Sequence, residues 1–96
     1  MVMVVIGGGA VCLSNYKDDA RVGAIIFAGY PGQAGGQGLV DVLFGKVAPS
    51  GRLSQTFYSE EYLREVSFYD MGMRPSESSP GRGYRFYKGK LVRNDM

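Results

Sequence analysis

The stretch "VGAIIFAGYPGQAGGQGLVDVLFG", residues 22–45, decides the fold. Its first eight residues are a continuous apolar run closed by a glycine. Such a run predicts a strand over 22–29 that is buried on both faces. Its last third changes period. Leu39 and Leu43 are four residues apart, as are Val40 and Phe44, so they line one stripe of a helix predicted from about 32 to 44. Gly45 then stands where a left-handed residue closes a helix, and Lys46 complements the negative end of its dipole. Between strand and helix, residues 29–38 hold five glycines, two glutamines and no charge. That composition has two readings: tight turns that let a helix start hard against a sheet, or a backbone cradle for a ligand.

Working outward, "VMVVI" (2–6) is a second β-branched apolar run, and it ends in Gly7-Gly8-Gly9. It predicts another strand buried on both faces. A short helix is expected over 13–18. "APSGRL" (48–53) is a turn punctuated by Pro49 and Gly51. "LSQTFY" (53–58) alternates enough to predict a third strand. Ser59 is suited to cap a helix running through "EEYLREV", with Glu60 and Glu61 in its first turn. Residues 70–82 read as a loop, "YRFY" (84–87) as a short aromatic strand, and residues 91–96 as a frayed tail beyond a domain over 1–90. Strand, connection, strand, helix, strand is the order of a parallel α/β sheet. Both glycine-rich turns follow strands, so they share one edge of that sheet, where ligands of open α/β folds collect.

Composition removes several functions. The chain has 96 residues, enough for one small domain with a thin core. With no histidine, Ser-His-Asp triads, Cys-His pairs and most zinc sites are excluded. One cysteine, Cys12, forbids an intrachain disulfide. A net charge of +2 is too weak to call for nucleic acid or membrane. No apolar run approaches the ~20 residues of a membrane span. Met1 leads directly into "VMVVI" without a basic region or cleavage site, so no signal peptide is expected in the chain as it stands.

A phosphate cradle also fits badly. The dinucleotide fingerprint places glycines at i, i+2 and i+5. Starting from Gly7 the third position is Cys12, and from Gly36 it is Asp41, which would repel a pyrophosphate. Gly45-Lys46 lacks the earlier glycine and the following hydroxyl of a P-loop. Backbone amides beside Gln33 and Gln37 suit a neutral, hydroxyl-rich ligand better, because amide side chains both donate and accept. Glu61 and Glu65, at i, i+4, read as a solvated helix face rather than the paired carboxyls of a glycosidase. Asp70 and Arg74 in "DMGMRP" read either as an ion pair that fixes the loop or as the polar rim of a site. "RGYRFYKGK" matches an RNA-recognition strand at Arg82, Gly83, Tyr84 and Phe86, but misses at Arg85, Tyr87 and Gly89.

"GYPGQAGGQGLVDVLFG", "PSGRL", "TFY", "DMGMRP" and "PGRGYRFYKGK", in this order and spacing, resemble the second domain of family-3 glycoside hydrolases. "GYPG" and "DMGMRP" are most similar to the β-xylosidase and α-arabinofuranosidase branch of plants and fungi. The resemblance implies a partial, three-layer α/β sandwich with a parallel sheet, of which this chain is the C-terminal portion. It implies an exo-acting, retaining glycosidase that acts on xylo-oligosaccharides without metal or cofactor and lies outside the cell or in its wall. It also implies docking to a (β/α)8 barrel that carries the nucleophile aspartate. The acid/base glutamate would lie upstream of "VMVVI", so no residue of this chain is expected to be catalytic. Tyr30, Gln33, Gln37, Asp70 and Arg74 are the residues expected near substrate. Cys12 replaces the usual aspartate after the triple glycine, and Ser54-Gln55 replaces a common Pro-Val. The chain by itself is expected to be inactive and poorly folded or self-associated. A non-catalytic sugar-binding or interaction module is the alternative, with an RNA-binding module more remote.

Overall fold

The computed structural model describes residues 1–92. Two compact units divide them: Met1–Gly9 with Ala20–Ser54, and residues 10–19 with the chain from 55 onward.

The first unit is built on two strands, β1 (Val2–Ile6) and β2 (Ala24–Gly29), which pair in parallel. Val2 lies opposite Ala24, Met3 opposite Ile25, Val4 opposite Ile26 and Val5 opposite Phe27. The register then slips, and Ile6 meets Gly29. This bulge bends the end of β2, where the chain must turn. The Gly7 N–H donates to the Gly29 carbonyl at 3.0 Å, so the pairing runs into both glycine turns. At the opposite end, the Gly23 N–H donates to the Met1 carbonyl at 2.8 Å and the Met1 ammonium to the Arg21 carbonyl at 3.0 Å. Burial on both faces, predicted for β1, does not hold in this chain. Val2, Val4 and Ile6 are exposed, while Met3 and Val5 are half-buried. Side chains alternate between faces, and one face of this strand has no covering layer within the first unit.

The helix α2 (Gly35–Leu43) follows β2 and is shorter than the predicted 32–44. Gly45 has φ +75°, as a left-handed closing residue requires, and Lys46 Nζ lies 3.5 Å from Asp41 Oδ1.

The second unit contains α1 (Ser14–Lys17), within the predicted 13–18, then α3 (Tyr62–Glu65) and α4 (Gly83–Phe86). Two predicted strands are corrected. Over 53–58 only an isolated antiparallel bridge forms, Tyr58 to Leu91, with the Val92 N–H on the Phe57 carbonyl at 2.9 Å. Among the described residues only the last two find a strand partner, and Ser54, Gln55 and Thr56 offer no apolar face. Over 84–86 the backbone is helical, and Tyr87 leaves the helix in an extended conformation. Gly83 takes φ +75°, its N–H donates to the Tyr58 hydroxyl at 2.6 Å, and the Tyr87 N–H reaches the Gly83 carbonyl at 3.0 Å. Tertiary contacts override β propensity here, because the turn brings Tyr87 into the core. Leu91 and Val92, placed in the frayed tail, are instead paired and partly or fully buried; residues 93–96 lie outside the described residues. Ser59 also departs from its predicted role. Its carbonyl accepts the Tyr62 N–H at 3.1 Å, but its hydroxyl is buried and caps nothing.

Tyr62, Val66 and Tyr87 form the core of this unit, with Tyr58 and Leu91 packed against it. The Tyr58 and Tyr62 rings stack with centroids 3.9 Å apart, and Tyr87 meets both edge-on at 5.4 and 4.9 Å. Each such pair contributes about 0.5–1.5 kcal/mol beyond its buried area. The exposed pairs Arg64–Glu60 and Lys90–Glu61, at 3.7 and 3.8 Å, are each worth about 0–1 kcal/mol. The aromatic contacts therefore dominate.

The Tyr87 hydroxyl donates to Glu65 Oε2 at 3.1 Å. Burial, reinforced by the Glu65 hydrogen bond and charge, pushes its pKa up from 10.0 to about 12. The unfolded tyrosine loses its proton first, so the folded state binds more protons across this interval. Stability from this group is full below pH 10.0, falls as the pH rises and is gone above about pH 12. Urea midpoints measured across this range should decline, and Tyr87→Phe should flatten that decline while lowering stability at neutral pH by about 1 kcal/mol.

Candidate functional site

Because β1 and β2 run in parallel, Gly7-Gly8-Gly9 and the turn after Gly29 sit on one edge of the first unit, as the sequence predicts. Tyr30 is the first residue of that turn. Gly29 and Gly32 flank Tyr30-Pro31 with φ +61° and +73°, a backbone that side chains disfavour. Pro31 leans on the start of α2: a methyl group added to Gly35 would lie 2.7 Å from Pro31 Cβ and Cγ. The Tyr30 ring lies on Gly8, where an added methyl group would sit 2.8 Å from Cε2 and 3.3 Å from the hydroxyl oxygen. Tyr30 is nevertheless 80% exposed. The turn is thus fixed on the sheet side and presents its aromatic side chain to solvent.

The glycines here serve packing first. Gly8 and Gly35 are small because Tyr30 and Pro31 rest on them, whereas Gly36 and Gly38 face open space. Gln33 is exposed on the turn. Gln37 is exposed on α2, with Nε2 donating to Asp41 Oδ1 at 2.8 Å, and that same carboxylate faces Lys46. The edge carries hydroxyl, amides and a proline ring, with no cation aimed at it from residues 29–38. Its chemistry suits an uncharged ligand.

Asp70 and Arg74 belong to the second unit and do not form the expected ion pair. The Asp70 carboxylate accepts the Gly72 N–H at 2.8 Å. The arginine that fixes the loop is Arg82: its Nη2 donates to the Asp70 carbonyl at 2.6 Å, and its N–H to the Met73 carbonyl at 2.9 Å. Arg74 is exposed. An arginine whose guanidinium binds a backbone carbonyl leaves no charge-pair signal in sequence, so sequence alone gives Arg82 no loop-fixing role. Glu61 and Glu65, read as a solvated face, are exposed and engaged with Lys90 and Tyr87. Because residues 83–86 are helical, the aromatic strand on which an RNA-binding reading depends does not exist.

The second unit also holds an open cleft of about 230 Å³ between α1, the start of α3 and residues 90–92. Lys17, Arg64 and Lys90 face Asp18, Glu60 and Glu61 there, so its formal charge balances. Nothing in the sequence pattern indicated it, since its residues come from three separated segments. Among the described residues, no three His, Cys, Asp or Glu side chains cluster to hold a metal ion, and no helix is long and apolar enough to cross a membrane.

A parallel strand pair followed by a glycine-opened helix is one layer of an α/β fold, with its turns at the strand ends where ligands of open α/β sheets collect. The chain belongs to glycosyl hydrolase family 3, whose C-terminal domain it matches over residues 1–91. It is 46% identical over 92 residues to beta-D-xylosidase 1 of Arabidopsis thaliana and 50% identical over 92 residues to an exo-1,4-beta-xylosidase of Emericella nidulans. Each alignment covers 96% of this chain and 12% of the relative. Among solved structures, it is similar to the GH3 exo-beta-xylosidase XlnD in complex with a xylobiose aziridine activity-based probe. That match has a TM-score of 0.86 and 46% identity, covering 96% of this chain and 12% of the other. The chain therefore spans about one-eighth of the length of the xylosidases it matches.

The close approach at Gly35 and the open space at Gly36 call for substitution effects of opposite sign. Gly35→Ala should destabilise by about 1–3 kcal/mol through overpacking on Pro31, less the ~1 kcal/mol gained in helix propensity. Gly36→Ala should stabilise by about 0.5–1 kcal/mol. Urea denaturation of the two variants checks both signs.

Proposed function

We propose that this chain is the carboxyl-terminal part of the sandwich lobe of a retaining, exo-acting β-xylosidase that cleaves O-glycosyl bonds in xylan- and arabinoxylan-derived oligosaccharides. In the complete protein, further strands and helices turn this partial layer into a three-layer α/β sandwich. A barrel docks against it and supplies the nucleophile, and an upstream segment supplies the acid/base. The role of these residues is to wall the sugar site, not to break the bond. Tyr30, Gln33 and Gln37 contact substrate from the glycine edge of the first unit; Asp70 and Arg74 are separate candidates on the second unit. The full enzyme works outside the cell or in its wall, where its polymeric substrate lies.

The observation that carries this reading is the match to an exo-beta-xylosidase solved with a xylobiose-derived probe: it covers nearly all of this chain and little of that enzyme. The open face of β1, with Val2, Val4 and Ile6 exposed, supports it too, since such a face needs a cover. A module that binds sugar without cleaving it is the second reading, favoured by the exposed Tyr30 on a fixed turn.

The 96-residue chain, purified to constant composition, should release no p-nitrophenol from p-nitrophenyl β-D-xylopyranoside and should sediment as self-associated species. Turnover that follows this chain through purification and changes when one of its carboxylates is substituted would overturn the assignment of chemistry to other polypeptide.

A further inference from the structure

We infer that Tyr30 is a stacking platform for one ring of a β-xylopyranoside, and that Gly8 is the positioning residue that sets its angle. This deepens, and rests on, the reading of the glycine edge as the wall of a sugar site. Three observations carry it. Tyr30 is 80% exposed, so its ring has a free surface. The ring lies against Gly8, where there is room for hydrogen only. Its backbone is fixed between the left-handed Gly29 and Gly32 and by the packing of Pro31 on Gly35. An exposed aromatic side chain on a flexible loop would lose much of its stacking energy to ordering, and a turn fixed in advance avoids that cost.

The chemistry selects the ligand class. All substituents of a β-xylopyranoside are equatorial, so both faces of its chair are flat arrays of axial C–H groups. Those faces match the negative face of an aromatic ring. The hydroxyls lie around the rim, where the exposed Gln33 can donate and accept. An open-chain polyol offers the same hydroxyls and no such face.

Gly8 makes the inference testable without dismantling the fold. A methyl group there meets the far end of a side chain that is mostly in solvent, so Gly8→Ala moves the ring and leaves the strands in place. The experiment is ligand-observed saturation transfer with the full 96-residue chain, which tolerates self-association. Methyl β-D-xylopyranoside is the probe and xylitol the control. Saturation is expected on the axial ring protons of the xyloside and not on xylitol. Tyr30→Phe should retain binding. Tyr30→Ala and Gly8→Ala should each weaken it roughly two- to tenfold, the range of one aromatic stacking contact. Circular dichroism of Gly8→Ala should match the parent chain, so this variant decides the matter even if Tyr30→Ala fails to fold. Xyloside binding unchanged in both variants would overturn the platform and leave the sugar wall standing. Equal saturation of xylitol would overturn recognition by the ring face. No saturation of the xyloside at all would remove the platform and the sugar wall together.

Discussion

The parallel register of β1 and β2 is the constraint on which the rest depends. Parallel pairing puts the carboxyl ends of both strands at the same edge. The slip at Ile6 and Gly29, closed by the Gly7–Gly29 hydrogen bond, carries the pairing one step into the turns. That step brings Gly8 under Tyr30. Antiparallel pairing would send the two glycine turns to opposite ends, and no residue of 7–9 could touch the turn after β2. The helix start, the fixed aromatic ring and the uncharged edge all follow from the direction of one strand pair.

Parallel strands need a crossover, and here it is residues 7–23. The middle of that crossover, residues 10–19, belongs to the second unit, which has a different kind of core. Three tyrosines pack at its centre beside Val66 and Leu91, and each brings a hydroxyl into the core. Tyr58 accepts from Gly83 and Tyr87 donates to Glu65, which fixes ring orientations as well as burying area. Burial raises the pKa of Tyr62 too, with Arg82 opposing the shift.

Much of the first unit was legible in the sequence because its signals are local. "VMVVI" and "AIIFA" are continuous apolar runs, and the period change at Leu39 marks the helix. Gly45 and Lys46 mark its end. The second unit was less legible because long-range contacts decide it. "YRFY" has strong strand propensity, yet Gly83 and the Tyr58 hydroxyl wind it into a turn of helix. "LSQTFY" alternates, yet only Tyr58 finds a bridging partner, at Leu91. Of the site, the common edge could be read from strand order alone. The seat of Tyr30 on Gly8 could not, because it joins residues 22 apart through the strand register. Asp70 and Arg74 do not pair for a related reason: the Asp70 carboxylate accepts the Gly72 N–H and its carbonyl accepts Arg82, and neither contact is visible to charge counting.

Strand direction can be measured directly. In an isotope-edited nuclear Overhauser experiment on the 96-residue chain, parallel pairing requires cross-strand contacts between Met3 and Ile25 and between Val5 and Phe27, with Gly7 close to Gly29. Contacts between Val2 and Phe27, with Ile6 near Ala24 or Gly23, would mean the strands oppose each other and would contradict the shared edge on which the proposed sugar wall depends.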